Sequence, residues 1–357
     1  MKKLTPRTYK KREELDNDDI LKECAELISQ NRCNNFKWEL DYVLDSFRNF
    51  MSSSKYQGGY ENLYGCYQDE IKATISNIKE CVKLYLNGDI YLCFTNFNKR
   101  WDEMIGKVFD TSESIYELKP SEYFYKIRKS KDKLFSKKDL FHVPFSQRGK
   151  LGNNRYSISG YPCLYLGRSL YTCWEETRRP DLTEISAVGF KVMKKLKLLD
   201  LRLYRNIDSM NKETLYMRLL PYILASSIRT HNDEDNFKPE YIIPQLLLHS
   251  VLRKNANKER IYDGIVFTST RRDMQYSDRG MELFDNVVVP VISTRSNSYC
   301  KKLAEYFTET APVYLNYEIL QGNIQNKSNS DGQIKYENTY FYSLEELIKS
   351  RDFGPIL

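Results

Sequence analysis

Three side chains capable of chemistry fall close together between Asn154 and Pro180. They are Arg155, Tyr165 and Glu176, spaced by ten and then eleven residues. A fourth, Ser269, ends a distant apolar run, YDGIVFTST. An arginine offers a rigid fork of donors suited to a pyrophosphate. A tyrosine gives a flat face for an aromatic base and a polar tip. A carboxylate can stabilise a sugar cation, or hold a ribose hydroxyl, while a glycosidic bond breaks. As a set, these groups could hold a dinucleotide and cut nicotinamide from its ribose. Taken singly, each is more often a surface ion pair or a core-edge residue, and spacing alone does not choose between these readings.

The elements around them have legible signals. Cys163 to Leu166 alternates as a strand, with Leu164 and Leu166 on one face and Cys163 and Tyr165 on the other. Gly167 turns the chain and Ser169 is the expected N-cap of a helix that Pro180 stops. At about 100° per residue, Glu176 lies beside the inward stripe of Leu170, Cys173, Trp174 and Thr177, whereas Glu175 should face water. Tyr123–Arg128, Glu184–Val192, Lys195–Arg202, Tyr262–Thr270 and Asp285–Ile292 read as strands, and Pro290 suggests that the last is an edge or carries a bulge. Ile265, Phe267 and Ser269 share a strand face.

Helical spacing appears over 20–29, 36–51, 71–86, 213–229, 244–254 and 343–349, with Asn87-Gly88 as a left-handed cap. Residues 1–19 read as a polar arm, and 52–65 and 322–333 as loops. The mixed order of strands and helices predicts α+β. The expected organisation is a helical N-terminal region over 1–117, a domain over 118–320, and a loop with a short helix over 321–357.

Composition narrows the classes. The 357 residues carry 55 basic and 48 acidic side chains, a net +7 that suits anions without marking a nucleic-acid protein. Three His and eight scattered Cys, including Cys24 and Cys33, argue against a metal site and for reduced thiols; no metal is expected. His142, His231 and His249 read as structural or surface residues. No apolar run reaches the ~20 residues of a membrane span, and the basic N-terminus lacks the apolar core of a secretory signal. A cytoplasmic location is the expectation. Phosphate loops, nucleophile elbows and zinc helices have no match in the chain.

The order NRYSISGYPCLYLGRSLYTCWEE, then PQLLLHSVLR, then YDGIVFTST resembles the RES domain family, named for its Arg, Glu and Ser. The resemblance runs from Glu117 to Tyr317. Arg155 matches the family's Arg, Tyr165 its Tyr, Glu176 its Glu and Ser269 its Ser. Arg128, in YKIR, matches an earlier arginine across a longer insertion than compact members have. Thr268-Ser269 stands where Pro-Ser is usual. The resemblance implies an ADP-ribosyltransferase-like mixed-sheet fold with NAD as substrate, held by Arg128, Arg155, Tyr165 and Ser269. It implies a toxin-like enzyme that degrades NAD by hydrolysis or phosphorolysis, with a cognate antitoxin as partner. The alternatives are an ADP-ribosyltransferase acting on a protein or nucleic acid, and a non-catalytic module using the basic arm and the run over 129–138 to bind nucleic acid or protein.

Overall fold

A computed structural model describes residues 24, 35–52, 61–106, 114–129, 135–203, 210–256, 261–271, 281–293, 298–323 and 335–357. The polar arm, Cys33, and nearly all of the expected helix over 20–29 and loop over 322–333 lie outside them. In chain order the elements are α1 (Phe36–Ser52), α2 (Glu61–Leu86), α3 (Ile90–Gly106), β1 (Ile115–Leu118), β2 (Tyr123–Lys129), α4 (Lys137–Leu140) and β3 (Cys163–Gly167). Then come α5 (Leu170–Glu176), β4 (Ile185–Val192), β5 (Leu196–Leu201), α6 (Met210–Ser227), α7 (Ile242–Ala256), β6 (Gly264–Thr268) and β7 (Asp285–Pro290). The chain closes with α8 (Lys301–Ala304), β8 (Phe307–Glu309), β9 (Val313–Tyr314), α9 (Leu315–Leu320), α10 (Tyr340–Lys349) and β10 (Gly354–Pro355). The protein is α+β.

Contacts divide the chain into two compact units, Met1–Ser114 with Leu201–Leu246, and Ile115–Asp200 with Leu247–Leu357. In the first, α1, α2, α3 and α6 bury the apolar stripes that their 3.6-residue spacing creates: Leu40, Leu44 and Phe47 of α1, Ile71, Ile75 and Ile78 of α2, and Leu219, Tyr222 and Ile223 of α6. Trp101 of α3 meets the Tyr222 ring edge-on at 5.2 Å. The helix α2 starts at Glu61, inside the stretch read from its Ser and Gly content as a loop. Gly88, at φ +86°, takes the left-handed conformation expected after Asn87. His231 lies between two buried carboxylates, Nδ1 at 2.6 Å from Glu240 Oε1 and Nε2 at 3.1 Å from Glu39 Oε2, a structural role.

The second unit is built on one sheet, ordered β1-β5-β6-β7-β3-β2-β4-β8-β10, with β9 added on β4. The alternation read in Cys163–Leu166 holds. Leu164, Leu166, Val266, Val287, Val289, Phe124 and Phe190 share one core, and Tyr165, Phe267 and Asn286 lie on the other face. Each such side chain contributes roughly 1.5–3 kcal/mol when fully buried. β7 is a central strand between β6 and β3, which corrects the edge or bulge inferred from Pro290. Pro290 is its last residue, where no further ladder donor is needed. His142 is buried against Phe141, Phe145 and Tyr299, and its Nε2 accepts the Cys300 N–H at 2.8 Å. Burial lowers its pKa to about 4, so it stays neutral and structural.

Beneath α4 the core contains a costly group. Glu309 is fully buried and neither carboxyl oxygen has a hydrogen-bond partner among the described residues. Burial raises its pKa from 4.5 to about 8, against the pull of Lys137 and Lys126. A raised carboxyl favours folding fully below pH 4.5, and that contribution is lost as pH climbs to about 8. The change amounts to roughly 5 kcal/mol. Lys126 moves in the opposite sense, lowered to about 8 by burial and then Arg128, so its own titration acts above that pH. Glu309→Gln is therefore expected to flatten the dependence of unfolding free energy on pH between about 5 and 8. Denaturant titrations across that range check it; an unchanged slope would place the titrating group elsewhere.

Candidate active site

Strand β3 ends at Gly167, which is required for space. A Cβ there would sit 2.6 Å from Cys173 Sγ and 3.2 Å from Ser169 O. Its φ is not in the left-handed region, so close packing of strand on helix, rather than the turn itself, selects glycine. Ser169 caps α5 as expected, its Oγ accepting the Thr172 N–H at 3.0 Å. The Ser169 and Thr172 hydroxyls both donate to Leu283 O, at 2.9 and 2.6 Å, and Cys173 Sγ contacts Tyr125 O at 3.2 Å. The helix is thus pinned to the segment before β7 and to β2. It ends at Glu176 with Thr177 as cap, before Pro180, through Arg178 and Arg179 at φ +67° and +49°.

The two neighbouring glutamates differ in burial. Glu175, expected to face water, is buried and its carboxylate is bound by Arg179 at 2.9 Å. The two-turn helix packs on β2, β3 and α10, so its buried face is wider than a single stripe. Glu176 is exposed, yet its Oε1 accepts two hydrogen bonds, from Ser269 Oγ at 2.6 Å and Asn286 Nδ2 at 2.8 Å. Its Oε2 takes none from the described residues. One oxygen is anchored and the other is open.

Ser269 is fully buried just past β6, with its N–H on Phe284 O at 2.8 Å and its Oγ accepting Arg271 N–H at 3.0 Å. Its neighbour Thr270 accepts from Arg155 Nη2 at 3.3 Å. Tyr165 OH donates to Tyr156 O at 2.6 Å, holding the residue after Arg155, and the Tyr156 ring packs 4.5 Å from Phe267. Arg155, Tyr165, Glu176 and Ser269 are therefore linked through one short chain of contacts on the Tyr165 face of the sheet. Arg128 is apart from them. Since Tyr125 pairs with Gly167, Arg128 projects to the opposite face, where its Nη1 donates to Asp139 O at 2.7 Å and its guanidinium covers Phe135.

Sequence reading passed over Asn286. Its one signal is a polar residue opening the apolar run VVVP, since the partner it holds is 110 residues away. Through Gly167↔Asn286 and Asn286↔Phe267, β7 places it between the strands that lead to α5 and to Ser269.

Residues 125–289 match the family model of the RES domain. The chain contains a RES domain. Arg155, Tyr165, Glu176, Ser269 and Asn286 all fall within it. A Bacillus subtilis (strain 168) protein described as "Putative toxin YopC" is 33% identical over 262 residues. That alignment covers 68% of this chain and 58% of the relative, so the chain spans little more than half the relative's length. No solved structure matches the chain. Among the described residues, no helix is long and apolar enough to cross a membrane.

Proposed function

We propose that this RES domain consumes NAD, breaking the bond between nicotinamide and ribose, and that the protein acts as a toxin restrained by a cognate antitoxin. The observation that carries the reading is Glu176, held through Oε1 by Ser269 and Asn286 with Oε2 left open. In the proposed step the C1′–N bond breaks and its electron pair moves onto the pyridinium nitrogen. Nicotinamide leaves neutral and needs no acid, in keeping with the structural roles of His142 and His231. The ribosyl cation that remains is stabilised by the open carboxylate oxygen. Arg155 would take the pyrophosphate, and Tyr165 would pack on the nicotinamide end while fixing the Tyr156–Arg155 backbone. Arg128, on the other face, would serve this site only after leaving Asp139 and Phe135. Water or phosphate then adds at C1′ and gives up its proton, so NAD yields nicotinamide with ADP-ribose or its phosphate.

The test is purified protein incubated with NAD, with and without phosphate, followed by mass spectrometry of the products. Nicotinamide with free ADP-ribose, or with its phosphate only when phosphate is present, supports NAD breakdown. Label from NAD on a protein or nucleic acid in lysate would move the assignment to ADP-ribosyl transfer. Intact NAD in every arm would overturn the reading.

A further inference from the structure

On the sheet face that bears Tyr125, a cavity of about 430 Å³ opens at the end of α5 away from Glu176, beside Arg168 and α10. Tyr125 lines it, and this side chain is only 2% exposed. Its hydroxyl is bonded to none of the described residues and is not one of the fully enclosed atoms without a partner, so it belongs to the cavity wall. The charged walls are Glu122, Glu282, Glu345, Arg168 and Lys349, three acids against two bases.

Each base already has a carboxylate partner. Arg168 Nη1 is 2.8 Å from Glu122 Oε2 and its guanidinium lies over Phe124. Lys349 pairs at 2.7 Å with Glu346 on its own helix. Glu345 is buried, its Oε1 accepting Leu170 N–H at 2.8 Å and Tyr336 OH at 2.5 Å. The cavity wall thus carries more carboxylates than cationic groups, beside the Tyr125 phenol. The local field agrees with that sign. Although burial works against it, Tyr116, Glu122 and Glu282 hold Arg168 above the ordinary arginine pKa. Burial, then Glu345 and Glu346, push the Tyr125 phenol up. A volume in this range suits a small molecule.

We propose that this cavity binds a small organic cation, a primary ammonium or guanidinium that donates to Tyr125 Oη and the Glu282 and Glu345 carboxylates. Such a group could come from a free polyamine or from a basic side chain. The bound cation would sit against Glu345, which caps the first turn of α5, roughly 9 Å along the helix from Glu176.

The test is calorimetric titration of the full chain with spermidine, with an arginine-containing dipeptide amide, and with inorganic phosphate as an anion of similar size. One of the two cations should bind, and the stronger names the source; phosphate should not. Tyr125→Phe should melt at the wild-type temperature, because the hydroxyl holds nothing in the unliganded protein, yet bind the cation about tenfold more weakly. Glu282→Gln should weaken it similarly, and salt should weaken it further in the wild type. No heat with either cation, equal affinity in both variants, or preference for phosphate would each overturn the proposal.

Discussion

Glu176→Gln is expected to leave the fold and melting temperature unchanged and to slow NAD cleavage by ~10³-fold. The amide oxygen can keep the Oε1 position and both donors, Ser269 Oγ and Asn286 Nδ2, so the helix end stays in place. What changes is the open oxygen. Its replacement by a neutral NH₂ removes the negative charge that the ribosyl cation needs in the transition state. The loss should therefore fall on kcat more than on KM. Nicotinamide release by wild type and variant, measured at saturating NAD, decides it. Equal rates in a folded variant would remove Glu176 from the chemistry, and the proposed reaction with it.

The largest steric effect on stability is expected at Gly264. A Cβ there would lie 2.2 Å from Val288 O and 3.2 Å from Leu198 Cδ2, so Gly264→Ala must push β6 away from a backbone carbonyl of β7. A flexible side chain could yield; a carbonyl inside the sheet cannot without breaking its register. Destabilisation of ~3 kcal/mol is expected, at the upper end for overpacking. Gly149→Ala is the matched control, because nothing lies within 4 Å of the added carbon. Denaturant midpoints of the two variants check the difference, and a Gly264 variant as stable as the control would show that β6 can shift freely. Because β6 runs directly into Ser269, NAD cleavage should fall in step with its displacement.

Within the candidate site, the strand-turn-helix from Cys163 to Glu176 was the legible part, because its signals are local. The strand alternation at Leu164 and Leu166 and the Ser169 cap follow from neighbours within a few residues, whereas the helical wheel sets Glu176 beside the inward stripe and Glu175 in water, the reverse of their burial. The features that escaped the sequence depend on tertiary neighbours. Glu175 is buried because a two-turn helix is covered on more than one side, which helical periodicity cannot register. Asn286 reads as the polar start of an apolar strand until Glu176 is folded against it. Pro290 carries the same backbone restriction at the end of a central strand as it would at a sheet edge. Arg128 lies one residue out of phase with Tyr125 and Ile127, and this parity alone sends it to the far face of the sheet.

The grouping of Leu201–Leu246 with Met1–Ser114 has a practical bearing on dissecting the molecule. Deleting the N-terminal helices would strip α6 of the surfaces that cover Leu219, Tyr222 and Ile223, although α6 itself lies within the matched span 125–289. A fragment beginning at Ile115 would carry that greasy helix uncovered into solution, inviting aggregation. A minimal folded piece therefore needs the leading helices as well as the matched span.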